Sequence, residues 1–383
     1  MSIITLPAEC ALQLAGFSLG QQRFDITEQS DGNGNTATRL GAPPRWRASL
    51  RSLPAMVAAD AARWKGLQLG LRGRINHLAL WDITNPQPRG TARGALVTSG
   101  STAAGATSAM ITGAIALPNI MAGGSFEIDT NADGLADGWT RYSAGSFSTL
   151  SAALSAGMHP HGATSQALLA AMLGATSSDR QGIFRSGVDV SALAGLPATL
   201  SFVVLGTLNS SMQVELAWRD AGGSVIGSMS TGAVALTTGV QSLSVSGTAP
   251  ALAATAIIYA YQHSNTGASP SFYIDAVQLE QAAAPTAYAG FATLLQGDWL
   301  QIGTGVGSHY CMVSADATFN DAGTATVSFE PPLRQAIAGS TVVAWHKPLC
   351  HYRQTADAAT WDAVPGSSDV GSFQLELIED WRA

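Results

Sequence analysis

A chain of 383 residues is longer than one ordinary domain and fits two or three. Its composition is 46% hydrophobic, with 41 glycines and only 12% charged residues, which excludes a disordered chain or a coiled coil and suits sheets joined by turns. The net charge of −7 is unevenly spread: residues 1–115 carry a net +5, residues 116–289 a net −6 and residues 290–383 a net −6, so the basic first part can attract an acidic partner or another copy.

Three cysteines, Cys10, Cys311 and Cys350, stand far apart without a CxxC pair, and buried thiols are expected rather than a disulfide framework or zinc knuckle. The opening MSIITLPAECALQLAGFSLG lacks a basic segment followed by a long apolar run. No stretch reaches the apolar length of a membrane span, so a soluble protein without a secretion signal is expected.

Along the chain, QQRFDITEQSDGNGNTATRLG predicts two strands about a DGNG turn. One helix follows in LPAMVAADAARWKGLQLG: Pro54 suits a first turn, Met56, Trp64, Leu67 and Leu71 recur at helical spacing, and Gly66 and Gly70 are expected to limit its length. A short strand is expected around His77 to Trp81, then a Pro-rich break. Residues 91–125, rich in Gly, Ala, Ser and Thr, read as a low-complexity junction or a run of short strands. From Ser125 to Ala289, runs such as ATLSFVVLGTL, SMQVELAWRD, ATAIIYAYQH and SFYIDAVQLEQ have the spacing of an antiparallel sandwich. The last part is hairpin-like, with NDAG as a turn, and SFQLELIEDW closes it as an alternating strand.

The segment FEIDTNADGLADGW, residues 126–139, opens like an EF-hand loop with Asp129, Asn131, Asp133 and Gly134. The twelfth position, which needs a bidentate Glu, is Thr140, and no amphipathic helix follows, so the EF-hand reading fails. Two readings remain. Some of Glu127, Asp129, Asp133 and Asp137 share a hard cation, or Asp133 and Asp137 are turn residues bonding their own backbone.

GGSFEIDTNADGLADGWT and SFYIDAVQLEQAAAPTAY resemble the opening and closing strands of the jelly-roll carbohydrate-binding modules attached to glycoside hydrolases, over residues 116–289. That resemblance implies a structural Ca2+ held by Glu127 and Asp275, with Asp129 and Asp133 as loop ligands. It fixes no sugar-binding residues, because members place their aromatic faces differently. Trp139, Trp218, Tyr259, Tyr261 and Tyr273 either stack on sugar rings or fill the core and cross-strand contacts. Tyr259 and Tyr261 alternate onto one strand face, and with His263 beyond them they are the candidate glycan face.

The flanks, RWRASLRSLPAMVAADAARWKGLQLGLRGRINHLALWDITNPQPRG and LLQGDWLQIG…HYCMVSADATFNDAGTATVSFEPPLRQAI, are similar to the distal tail (minor tail) proteins of siphophages. In that family the second segment follows the first after a short connection, so this pattern implies a module inserted into a surface loop. The expected fold is mainly β: a split β-rich tail-ring domain with one helix, formed by 1–115 and 290–383, interrupted at 116–289 by an antiparallel jelly-roll β-sandwich. The resemblance implies a virion protein at the tail tip, assembled in the host cytoplasm. It implies self-association as a hexameric ring and contacts with tail-tube and tail-tip or hub proteins. The sandwich would face host-surface glycan. A free carbohydrate-binding protein, or an accessory module of a glycan-degrading system, is the alternative.

No catalysis is expected. Glu376, Glu379 and Asp380 lie in a strand-like run with nothing evident to desolvate them, and His346, Cys350 and His351 lack a fourth metal ligand. GTGVGSHY lacks the helix of a nucleotide loop. Arg45, Arg47, Arg51, Arg72 and Arg74 suit assembly contacts, with no nucleic-acid specificity.

Overall fold

The computed structural model of the chain describes residues 2–5, 14–29, 36–53, 57–144, 149–156, 159–171, 180–206, 211–263, 271–357 and 372–381. They are mainly β, with one α-helix among them. None of their helices is long and apolar enough to cross a membrane.

Residues from both ends of the chain build one sheet. Its order is Ile3–Thr5, His77–Leu80, Cys350–Gln354, Gln374–Glu379, Thr36–Ser52 and Leu14–Gln29, with only the first pair parallel. The hairpin expected around residues 21–41 is its long edge ribbon; the DGNG turn, Pro54, Met56 and Cys10 lie outside the described residues. The helix spans Ala58–Leu71, so Gly66 and Gly70 lie within it rather than ending it. It stops at Arg72, whose positive φ of 50° lets its N–H bond back to Leu69. Trp64, Leu67 and Leu71, on one helical stripe, pack with Trp46, Leu50, Leu78, Leu80, Leu375 and Leu377. Trp64 also stacks on Phe373, ring centroids 5.8 Å apart.

The Gly/Ala/Ser/Thr-rich stretch is structured. Its strands Val97–Thr98 and Ser108–Thr112 join Ala325–Glu330, His309–Val313, Trp299–Ile302 and Val343–Ala344 in a six-stranded sheet. That sheet closes on itself through a bridge between Val97 and Val342, with Thr98 N–H donating to Thr341 O at 2.9 Å. The closed barrel removes open edges and packs Leu96, Ile111, Leu300, Val313, Val327 and Phe329 inside. Trp299 and Tyr310 of the barrel stack at 4.7 Å, and Trp46 of the first sheet meets Trp299 edge-on at 4.8 Å, welding the two units.

The sandwich has its own core. Its back sheet runs Thr149–Ser155, Ser165–Ala171, Ser271–Glu280, Pro197–Gly206 and Gln241–Thr248; its front sheet runs Val225–Ser230, Ser211–Arg219, Thr255–His263, Arg180–Asp189 and Thr140–Ala144, with Val234–Ala235 paired beside it. Alternation decides the faces: Leu200, Phe202 and Val204 point in, while Ser201, Val203 and Leu205 point out. The incoming and outgoing chains lie side by side. Asn119 bridges Glu280, Ile120 N–H donates to Leu279 O, and the Asn119 side chain accepts Leu279 N–H and donates to Val277 O. Close termini of this kind are what an inserted module requires.

Candidate functional site

Two places on the sandwich collect functional chemistry. One is the outer face of the front sheet. Strand register sets Tyr142, Gly182, Tyr261 and Gln213 in one row, and Thr140, Phe184, Tyr259 and Glu215 in the next. Four rings interlock there: Tyr142 lies 5.1 Å from Tyr259, 5.4 Å from Tyr261 and 6.5 Å from Phe184, and Phe184 stacks on Tyr259 at 5.8 Å. Gly182 is required, since a Cβ there would fall 2.0 Å from Ala260 O and 2.5 Å from Tyr261 Cα.

Within this cluster Tyr261 is buried, at 1% exposure. Its hydroxyl donates to Glu215 Oε2 at 2.9 Å and accepts from Arg180 Nη1 at 3.3 Å, and the Arg180 guanidinium lies over its ring. Burial, then the Glu215 carboxylate, push its phenol well above the usual range, so it stays neutral. Tyr261 therefore anchors the face, and Tyr259, Tyr142 and Phe184, all partly exposed, present the rings. The side chain of His263 lies outside the described residues, though its backbone pairs with Arg180. Tyr142 and Phe184 escaped sequence reasoning. In RYSAG and RQGIFRSG each is flanked by residues that give no hint of which strand lies beside it. Of the other aromatics, Trp139 and Trp218 belong to the core; Trp139 packs against Phe126 and donates its indole N–H to Gly123 O.

The second place is the base of the sandwich, where three carboxylates converge. Glu127 Oε1 accepts the N–H groups of Ala163 (2.9 Å) and Thr164 (3.1 Å), and Asp275 Oδ2 accepts that of His161 (3.0 Å), so one loop holds both. Asp321, from the NDAG turn of the last segment, is the third: it accepts Ser125 N–H at 2.9 Å and Glu127 N–H at 3.1 Å. Burial, opposed by hydrogen bonds and joined by the Glu127 and Asp321 charges, lifts the Asp275 carboxyl to about 7. Arg185 supplies a cation to Asp321. Its guanidinium lies where a side chain on Gly123 would stand, a Cβ coming within 2.3 Å of Nη1.

Of the four residues implied as metal ligands, Glu127 and Asp275 are thus brought together. Asp129 and Asp133 are not part of that group: Asp129 accepts the N–H groups of Asp133 and Gly134, Asp133 accepts that of Leu135, and Asp137 accepts from Thr130, as in self-bonded Asx turns. Among the described residues no three His, Cys, Asp or Glu side chains group as a metal site. Glu127 and Asp275 still fit a hard cation in donor type and in unbalanced negative charge. Ca2+ takes six to eight oxygens, so most would come from backbone carbonyls and water.

Of the carboxylates near the end of the chain, Glu376 is partly exposed, whereas Glu379 and Asp380 are desolvated, contrary to expectation, and their charge is used within the fold. Glu379 accepts Arg334 Nη1 at 2.6 Å and Trp46 N–H at 3.0 Å, and Asp380 lies 3.5 Å from Arg353 Nε and 3.4 Å from His77 Nε2. Cys311 and Cys350 are buried free thiols, and burial pushes Cys311 up to about 12.

No protein-family profile matches the sequence, and no curated protein is similar to it. Among solved structures, the enzymatically active domain of bacteriophage CBA120 tailspike protein 4 is 15% identical with a TM-score of 0.35, over 44% of this chain. The match spans 22% of that tailspike's length. The CBM22-1 xylan-binding domain of Paenibacillus barcinonensis Xyn10C is 15% identical, TM-score 0.31, over 44% of this chain and 96% of that domain. The CBM22-1-CBM22-2 tandem of the same enzyme is 11% identical, TM-score 0.31, over 68% and 97%. Likenesses this distant carry no argument about function. The chain's own strands define it as a mainly β protein: a split β-rich unit, with one α-helix among the described residues, interrupted by an antiparallel β-sandwich.

Proposed function

We propose that the protein is a non-catalytic structural component of a bacteriophage tail tip, forming a ring that joins tail tube to baseplate, with the sandwich facing outward to bind host-surface glycan. The observation that carries the glycan part is the front-sheet face: three partly exposed rings, Tyr142, Phe184 and Tyr259, above a polar Arg180–Tyr261–Glu215 anchor. Rings of this kind take the apolar faces of sugars, and neighbouring polar groups take their hydroxyls. A ring would multiply one modest contact by its copy number. A Ca2+ held by Glu127 and Asp275 belongs to the same reading, supported by the placing of both carboxylates against one loop, where burial and then the Glu127 and Asp321 charges raise Asp275. Its role is to neutralise charge at the sandwich base.

The tail-tip part is supported by the flank pattern LRGR, PRG, GDWLQIG and FEPPLR. It is consistent with a split unit whose two halves share a sheet and a barrel around the inserted sandwich. A free carbohydrate-binding protein shares the front face and is the second reading. Size-exclusion chromatography with light scattering separates them: a stable ring mass supports the tail-tip reading, and a monomer at high concentration overturns it. Retention on host polysaccharide, reduced by Tyr259→Ala and Tyr142→Ala, tests the face.

A further inference from the structure

The sandwich has a second open face, on the sheet opposite the aromatic cluster. Register across the back sheet aligns Ala153, Ala167, Tyr273 and Leu205 in one outward row, and Asp275, Val203 and Ser242 in the next, with Ser201 and Ser244 beyond. Three hollows follow these rows: about 390 Å³ beside Ser151, Ala167 and Tyr273, about 300 Å³ between Tyr273, Val203 and His159, and about 420 Å³ between Ser201, Ser244 and Tyr288. The first two share Tyr273 and the last two share Val203, so they form one groove across the strands. Five strands about 4.8 Å apart make it roughly 20 Å long, the span of about four sugar rings.

The groove has a definite chemistry. Small residues at 153, 167, 201, 242 and 244 leave the floor low, and Tyr273 stands above it, half-buried, with no ring packed on it among the described residues. At one end His161 and Tyr288 pair at 4.7 Å as a wall. The hydroxyls of Ser151, Ser201, Ser242, Ser244 and Ser271 make no hydrogen bond within the described protein. Among the described residues no Lys or Arg lines any of the three hollows, and the one acid that does, Asp275, already accepts the N–H groups of His161 and Ala276. With no Lys or Arg in that lining, the groove offers an anionic ligand no guanidinium or ammonium partner. A lone ring over a row of free hydroxyls suits a chain with apolar faces and many hydroxyls.

We propose that this back-sheet groove is a second glycan-binding site, taking a neutral, unsubstituted oligosaccharide of about four sugars across Tyr273. It does not depend on the tail-tip assignment or on the front face. With one site on each sheet, a single sandwich can hold two glycan strands.

The test is titration calorimetry on the full chain with xylohexaose and cellohexaose at millimolar concentration, beside an oligogalacturonate hexamer as the acidic control. In the Tyr259→Ala variant, binding of a neutral hexasaccharide is expected to persist. Tyr273→Ala, or the double variant Ser242→Val/Ser244→Val, should weaken that binding at least tenfold without shifting the melting temperature appreciably. The acidic hexamer should bind at least tenfold more weakly than the neutral one. Neutral binding that disappears with Tyr259→Ala and ignores Tyr273→Ala leaves the front face alone and overturns the groove. Absence of neutral binding in every variant overturns it as well, and preference for the acidic hexamer overturns the ligand class.

Discussion

The carboxylate of Asp321 accepts the backbone N–H of Ser125 at 2.9 Å from 196 positions away, and with its other oxygen the N–H of Glu127. The turn before the barrel strand Ala325–Glu330 thereby holds the irregular segment that leads into the sandwich. Asp321→Ala leaves one buried and one part-buried N–H group without that partner, at a cost of about 2–4 kcal/mol. Urea unfolding of the full chain should then split into two transitions, the sandwich melting separately from the split unit. A single, unshifted transition would show that the Asp321 contact does not couple them.

Calcium should raise the melting temperature of the wild-type chain relative to the same protein in chelator. At a hundredfold excess over Kd the gain is about 2.7 kcal/mol. Glu127→Gln and Asp275→Asn should erase the difference, whereas Asp129→Asn should keep it, because Asp129 serves its own turn. Identical wild-type melts would remove the metal from the base of the sandwich.

Acid should destabilise the barrel and the split sheet through two histidines. Burial, reinforced by Arg334, holds His309 down to about 4, and burial with His77 does the same to His351. Both are neutral in the fold, so their contribution is complete above the free imidazole value near 6.5 and is lost as pH falls from there towards 4. Each accounts for up to about 3 kcal/mol over that window. The Asp275 carboxyl, raised to about 7, acts with the opposite sign over the same window, so the reading is a difference between variants: in urea titrations between pH 7 and 4.5, His309→Gln should lose less stability than the wild type, and an unchanged slope would exclude His309 as a contributor.

Tyr261 and Tyr259, two residues apart on one strand, should respond differently. Tyr261→Ala empties a buried site and orphans Glu215 and Arg180, costing about 3–5 kcal/mol. Tyr259→Ala should cost much less stability and instead reduce glycan retention. Equal stability losses in thermal melts would mean that Tyr259 is also a packing residue.

How much of this was legible in the sequence depended on the range of the interaction. The helix was, because Trp64, Leu67 and Leu71 repeat at its period, and so was the sandwich, where Leu200, Phe202 and Val204 alternate with outward residues. Its glycines misled: Gly66 and Gly70 sit inside the helix because tertiary burial outweighs about 1 kcal/mol of propensity each. The barrel was illegible, since Val97–Thr98 and Val343–Ala344 are two residues long and carry no period. The meeting of Glu127 with Asp275 came from family resemblance; that Asp321 joins them is written nowhere near either residue. Tyr142 and Phe184 needed the register of three strands before they could be placed beside Tyr259.

Closure of the barrel also sets an order of events during synthesis. The bond between the Thr341 N–H and the Thr98 hydroxyl spans 243 positions, with the whole sandwich between. At roughly 5–20 residues per second, the ribosome needs on the order of ten to fifty seconds to supply the later strands. Through that interval Val97–Thr98 and Ser108–Thr112 have only each other to pair with, lacking Ala325–Glu330 and the Val342 bridge, while the sandwich, complete in sequence, is already out. The small, hydroxyl-rich composition of residues 91–113 is then of use to the nascent chain: strands so poor in large apolar side chains can wait in water with little tendency to aggregate.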